Sequence, residues 1–172
     1  PHAAPDGTVW VGTFGAGLCQ LKDGRAAFCT TANGLSDDSV LAVCNDSERT
    51  IWAGTLAGAL HRFANGTVTT YARRSGLPGT PITALLPARE GGLWIGTANG
   101  VLLRSDSRFE RTTTVMLTSR LEGKAILGLY ETPERTLWMG SAGGGLGCLD
   151  AGGCLSWDTQ QGLPDDLVLG VV

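Results

Sequence analysis

Few side chains in this sequence could do chemistry. His2 and His61 are the only imidazoles, and the cysteines number five, at 19, 29, 44, 148 and 154. Asp37-Asp38 and Asp165-Asp166 are paired carboxylates, which could hold a cation or divide acid and base roles between them. No Cys-x-x-Cys pair exists, so zinc and redox motifs have no support. His61 follows Leu60 in a strand-like run and reads as a histidine satisfied by its neighbours; no Ser-His-Asp set can be argued from it. The run AGGGLG at 142–147 lacks the Lys-Ser/Thr and the helix that a phosphate loop needs. Asn65-Gly66-Thr67 has the form of a glycosylation sequon but reads as a hairpin turn. The sequence therefore assigns no catalytic residue, no metal ligand and no cofactor-binding residue. Arg73, Arg74, Arg120 and Lys124 are candidates for an acidic ligand, with solvated surface charge as their plain reading.

The elements that would position these groups announce themselves by repetition. Trp10 opens WVGT, Trp52 opens WAGT, Trp94 opens WIGT and Trp138 opens WMGS, at intervals of 42, 42 and 44 residues. A second landmark keeps the same period: GLS at Gly34, GLP at Gly76, RLE at Arg120 and GLP at Gly162. Two landmarks with one period indicate a repeat array. Each unit holds four short β-like runs separated by turn residues, and none shows a helical period. Four strands in about 42 residues fit a β-propeller blade. The first runs (VLAV, ITALL, AILGL, LVLG) are apolar on both faces, as inner strands would be. The fourth runs (TVTTYA, RFERTTT) are polar, as outer edges would be. Each tryptophan is expected to pack against the next blade. Gly12, Gly54, Gly96 and Gly140, two residues later, would let a neighbour approach closely. In the acid-pair slot, Gly79-Thr80 and Gly123-Lys124 stand where the other two repeats have Asp-Asp. A ring of cation ligands is therefore broken, and the pairs read as turn and strand-start acceptors.

Composition sets outer limits. The chain has 172 residues, 17% charged, with a net charge of -3. That gives no basic groove for nucleic acid and no polybasic membrane patch. No apolar run reaches the roughly 18 residues of a membrane span. The opening PHAAPDG, without Met, suits a piece of a longer protein. Cys19 and Cys29 flank an Asp23-Gly24 turn, and Cys148 and Cys154 flank LDAGG. Each pair lies on the third and fourth strands of one blade, and two cross-strand disulfides are expected. Cys44 would remain a buried thiol. The bridges would imply an oxidising compartment such as the periplasm.

The segments GLSDDSVLAVCNDSERTIWAGTLAGAL and GLPGTPITALLPAREGGLWIGTANGVL resemble the two-component regulator propeller repeat. The resemblance covers nearly the whole chain, four copies deep, with RLE and WMGS as departures. It implies a sensor domain outside the bacterial cytoplasmic membrane, joined to a histidine kinase or diguanylate cyclase module.

The expected fold is thus an all-β propeller of four-stranded antiparallel blades over residues 1–172, taken as one repeat array. The sequence starts at a second strand, DGTVWVG, and stops after a first strand, DDLVLGVV. The C-terminal run would complete the first blade within one chain, or two chains would exchange ends head to tail in an eight-bladed ring; a third outcome is an open arc. The expected function is a non-catalytic module binding a small molecule, glycan or protein through the loops that lead into the inner strands. A propeller lyase or hydrolase and a pure assembly scaffold are the alternatives.

Overall fold

The computed structural model describes residues 2–4, 6–46 and 50–172. It contains four antiparallel sheets of four strands each, so the fold is of the propeller class. The first sheet is β1 (His2–Ala3), β2 (Val9–Gly12), β3 (Leu18–Lys22) and β4 (Arg25–Cys29). The second is β5 (Val40–Asn45), β6 (Ile51–Thr55), β7 (Leu60–Ala64) and β8 (Thr67–Tyr71). The third is β9 (Ile82–Pro87), β10 (Leu93–Thr97), β11 (Leu102–Ser105) and β12 (Thr112–Val115); the fourth is β13 (Ile126–Glu131), β14 (Leu137–Ser141), β15 (Leu146–Asp150) and β16 (Gly153–Trp157). The chain divides into two compact units, Pro1–Pro87 and Ala88–Val172.

Local chemistry dictates the hairpins. Asp23-Gly24 and Asn65-Gly66 both take positive φ at their two positions, the geometry of a type I′ turn. They join β3 to β4 and β7 to β8. The outer strands β4 and β8 are largely exposed, whereas every residue of β6 is buried.

In the first unit the core lies between blades. Leu35, from the connector after β4, packs with Leu18, Val40, Ile51 and Ala53, and Trp10 and Phe63 border the cluster. Leu77 in the first unit and Leu121 in the second are buried in the same repeat slot. Leu121 is the one residue that RLE shares with GLS and GLP, so the departure keeps the plug. Gly12 meets Val40: a Cβ there would stand 2.6 Å from Val40 O. Gly54 meets Ile82 on β9 in the same way, and in the second unit a Cβ on Gly140 would stand 2.6 Å from Val168 O.

Two expectations fail. The first blade's inner position is held by β1, through His2↔Trp10 and Ala3↔Val9, and not by the C-terminal run. Residues 168–172 belong to no strand; Leu167 makes a single bridge, to Ala142. The disulfides are also absent: all five cysteines are free. Register explains this. The two-residue turn sets Lys22 opposite Arg25, so Cys19 faces Phe28 and Cys29 faces Leu18. Likewise Cys148 faces Leu155 and Cys154 faces Leu149. Adjacent strand residues point to opposite faces, so each cysteine pair is split across its sheet. Cys44 is buried as expected, and burial pushes its thiol well above the ordinary range.

Candidate functional site

The motif threonine turns out to be a clasp. After each second strand, a hydroxyl donates to the carbonyl four residues on: Thr13 to Gly17 (2.7 Å), Thr55 to Ala59 (3.2 Å), Thr97 to Val101 (2.8 Å) and Ser141 to Gly145 (3.0 Å). The same oxygens accept from Ala16, Ala59, Val101 and Gly144 N–H groups. Only a β-hydroxyl can do both, which is why Ser141 substitutes without loss. These clasped loops, with the lead-ins to the inner strands, form a rim in each unit.

In the first unit the acid pair holds this rim together. Asp38 O accepts from Gly15 N (3.1 Å) and Gly17 N (2.7 Å), and its carboxylate accepts from Thr31 N (2.6 Å). Asp37 Oδ1 accepts from Ser39 N (3.0 Å) and Oδ2 from Ala57 N (2.7 Å). The carboxylates are thus consumed by main-chain donors. In the second unit Asp165 and Asp166 repeat the pattern with Leu167 N (2.8 Å) and Thr159 N (2.7 Å). No group of three or more His, Cys, Asp or Glu that could hold a metal occurs among the described residues.

His61 is fully buried on β7. Its Nε2 is 3.1 Å from Ser36 Oγ and its Nδ1 is 3.1 Å from Thr70 Oγ1. Burial depresses its pKa, partly opposed by the Asp37 charge. Both nitrogens are taken and no carboxylate orients the ring, so the set lacks the order of a nucleophile–base–acid relay. His2 is engaged with Asn45.

The basic candidates separate. Arg73 and Arg74 sit on an exposed 3-10 turn, with the Arg73 side chain packed over Gly79. In the second unit Arg120 pairs with Asp158, itself the cap of a 3-10 turn, so its charge is spent. Lys124 lies beside Gly144. The glycine run there offers nothing to a phosphate: Gly143 and Gly145 N–H groups go to Asp166 O and Gly144 N–H to Ser141 Oγ.

Each motif tryptophan has its own partners. Trp10 meets Phe63 of the following blade, ring centroids 6.3 Å apart. Trp52 meets Tyr71 (6.0 Å) and Trp138 stacks on Trp157 (5.7 Å), each within its own blade. Trp94 lies under the Arg104 guanidinium, 5.1 Å away. Tyr71 and Trp157 share one outer-strand slot, which Cys29 and Val115 fill in the other blades. Lacking an aromatic there, Trp10 and Trp94 find other company.

What the rim exposes is apolar. Phe14 is 78% exposed and Leu56 40%. They flank one residue: Phe14 bridges Ser39, and Leu56 N donates to Ser39 O at 2.9 Å. Sequence reasoning chose the rim but not these two residues. The signal available was the slot after WxGT, which reads Phe, Leu, Ala, Ala along the chain.

Known proteins share this architecture. The "Two component regulator propeller" family matches residues 34–57 and 76–99. The extracellular domain of the hybrid two component system BT4673 from B. thetaiotaomicron is 20% identical with a TM-score of 0.79, covering 99% of this chain and 24% of that one. Virginiamycin B lyase from Staphylococcus aureus is 17% identical with a TM-score of 0.74, covering 95% of this chain and 56% of that one. PorZ of Porphyromonas gingivalis, a surface component of the type-IX secretion system, is 16% identical with a TM-score of 0.71, covering 99% and 29%. The chain therefore spans about a quarter of the sensor domain that it resembles. No curated protein sequence matches it. With two repeats matched and four antiparallel blades formed, the chain carries repeats of the two component regulator propeller family.

Proposed function

We propose that this chain is part of a non-catalytic, ligand-sensing propeller of a bacterial signal-transduction protein, held outside the cytoplasmic membrane. The observation that carries the reading is the Phe14–Leu56 pair. An exposed aromatic and an exposed leucine stand on loops fixed by hydroxyl clasps and by the Asp37-Asp38 pair. A rigid apolar platform of this kind suits the flat face of a small molecule, a glycan ring or a peptide side chain. The acids and the histidines around it are engaged by the protein, which supports binding over turnover. The extracytoplasmic location draws on the likeness to sensor extracellular domains, since the disulfide argument has gone.

The test is a titration of the purified chain with a panel of neutral oligosaccharides and short apolar peptides, monitored by amide NMR shifts. Shifts centred on residues 13–17 and 37–40, lost in Phe14→Ala with an unchanged melting temperature, are expected. Binding that ignores Phe14→Ala, or consumption of a panel member, would overturn the reading.

A further inference from the structure

We infer, independently of the ligand reading, that Asp165–Val172 is a strand-docking edge, and that its occupant is β2 of a second copy of this chain.

The seating of an inner strand is seen first at the start of β5. There Asp38 O takes the Gly15 and Gly17 N–H groups, Val40 N donates to Thr13 O (2.8 Å), Thr31 N to Asp38 Oδ1 (2.6 Å) and Ser39 N to Asp37 Oδ1 (3.0 Å). The C-terminal run repeats this set on the fourth blade. Asp166 O takes Gly143 and Gly145 N–H groups, Val168 N donates to Ser141 O (2.9 Å), Thr159 N to Asp166 Oδ1 (2.7 Å) and Leu167 N to Asp165 Oδ1 (2.8 Å). Ala142 bridges Leu167 as Phe14 bridges Ser39. Val168 also crowds Gly140 as Val40 crowds Gly12, each carbonyl oxygen 2.6 Å from the absent Cβ. Residues 165–172 are therefore an inner strand already in place.

What they lack is the second strand. β5 pairs with β6 at five positions, from Val40↔Thr55 to Asn45↔Ile51, while residues 168–172 pair with no strand among the described residues. Val172 is wholly exposed at the slot where Cys44 is 4% exposed. Asp37 uses its second carboxylate oxygen on Ala57 of the following blade, a contact with no counterpart at Asp165 among the described residues. An apolar strand with a free edge recruits another strand through main-chain hydrogen bonds.

The strand β2 fits that edge. It carries the same W-x-G-T sequence as β6, and its own inner partner, β1, spans only two residues. Transposing the β5–β6 register sets Val168 opposite Thr13, Gly170 opposite Gly12, Val171 opposite Val11 and Val172 opposite Trp10 of the second copy. The incoming strand displaces β1. Reciprocal docking gives a two-fold dimer with two identical junctions.

Light scattering of the full chain tests this. A mass about twice the 17.9 kDa of one chain is expected. Val171→Pro, which removes an N–H and blocks the ladder, and a separate variant lacking residues 169–172 are each expected to give single-chain mass with an unchanged β-sheet circular dichroism signal. A single-chain mass for the unaltered protein at every concentration overturns the inference. So does a dimer that survives both variants.

Discussion

The connector before β5 and the one before the C-terminal run share a sequence signature but not a setting. GLSDDSVLAV and GLPDDLVLGV make the same turn, the same acid contacts and the same approach to a motif glycine. Yet Leu35 is 6% exposed inside a two-sided cluster, whereas Leu163 is only half-buried. The turn is encoded within the segment itself. The burial is supplied by the blade that comes after.

The largest test of this difference is truncation of the two leucines. Leu35→Ala should cost about 3 kcal/mol, because it leaves a cavity lined by Leu18, Val40, Ile51 and Ala53. Leu163→Ala should cost roughly 1 kcal/mol, since the site is open on one side and can relax. Urea titrations of both variants read the gap. Equal losses would mean that burial is set by the connector alone.

Overpacking the glycines comes next. Gly12→Val and Gly140→Val meet the same carbonyl geometry. The first forces a six-residue strand paired at five positions to shift, and about 2 kcal/mol is expected. The second only unseats a run without a strand partner, and about 1 kcal/mol is expected in the monomer. Thermal melts at low protein concentration separate the two, and a larger loss for Gly140→Val would show that the C-terminal run carries more stability than its exposure suggests.

These pairs also show how far the sequence could be read. The period, the four strands per blade and the Asp-Gly and Asn-Gly turns were legible, because each rests on local chemistry repeated several times. The acid pairs were legible as acceptors for the same reason. The disulfide error lay within reach of the same rules. A two-residue turn at Asp23-Gly24 makes Lys22 face Arg25, and stepping outward brings Cys19 to Phe28, one residue short of Cys29. The inner partner of β2 was not legible, since a two-residue strand leaves almost no pattern. Phe14 hid for another reason: its residue type says core, and only the loop geometry turns it outward.

A smaller effect separates two tryptophans. Trp52 Nε1 donates to Asp46 Oδ2 at 2.9 Å, while the buried Trp94 Nε1 has no hydrogen-bond partner among the described residues. The slot of Asp46 holds Ala88 in the third repeat. Asp46→Ala should therefore cost about 1 kcal/mol, and Ala88→Asp should recover a fraction of that by giving Trp94 an acceptor. Indole proton NMR shifts check which ring changes. If Ala88→Asp leaves the Trp94 N–H resonance where it was, the two slots are not equivalent.

The smallest effect is a pH dependence that the third strand of one blade should have and the others lack. His61 occupies the slot of Cys19, Leu103 and Gly147, and only His61 can take a proton near neutrality. Burial holds its folded-state pKa below the ordinary 6.5, with Asp37 opposing and the Ser36 and Thr70 hydroxyls neutral. The unfolded chain then binds the proton first as pH falls. Stability should be full above about pH 6.5 and decline below it until the folded-state pKa is reached, with a slope of at most about 1.4 kcal/mol per pH unit for one proton. Chemical denaturation of the native chain and of His61→Leu across pH 5 to 8 reads this, and the decline should be present only in the former. A matching decline in His61→Leu would assign the effect to the carboxylates, and the buried histidine would then be silent in the energetics of its blade.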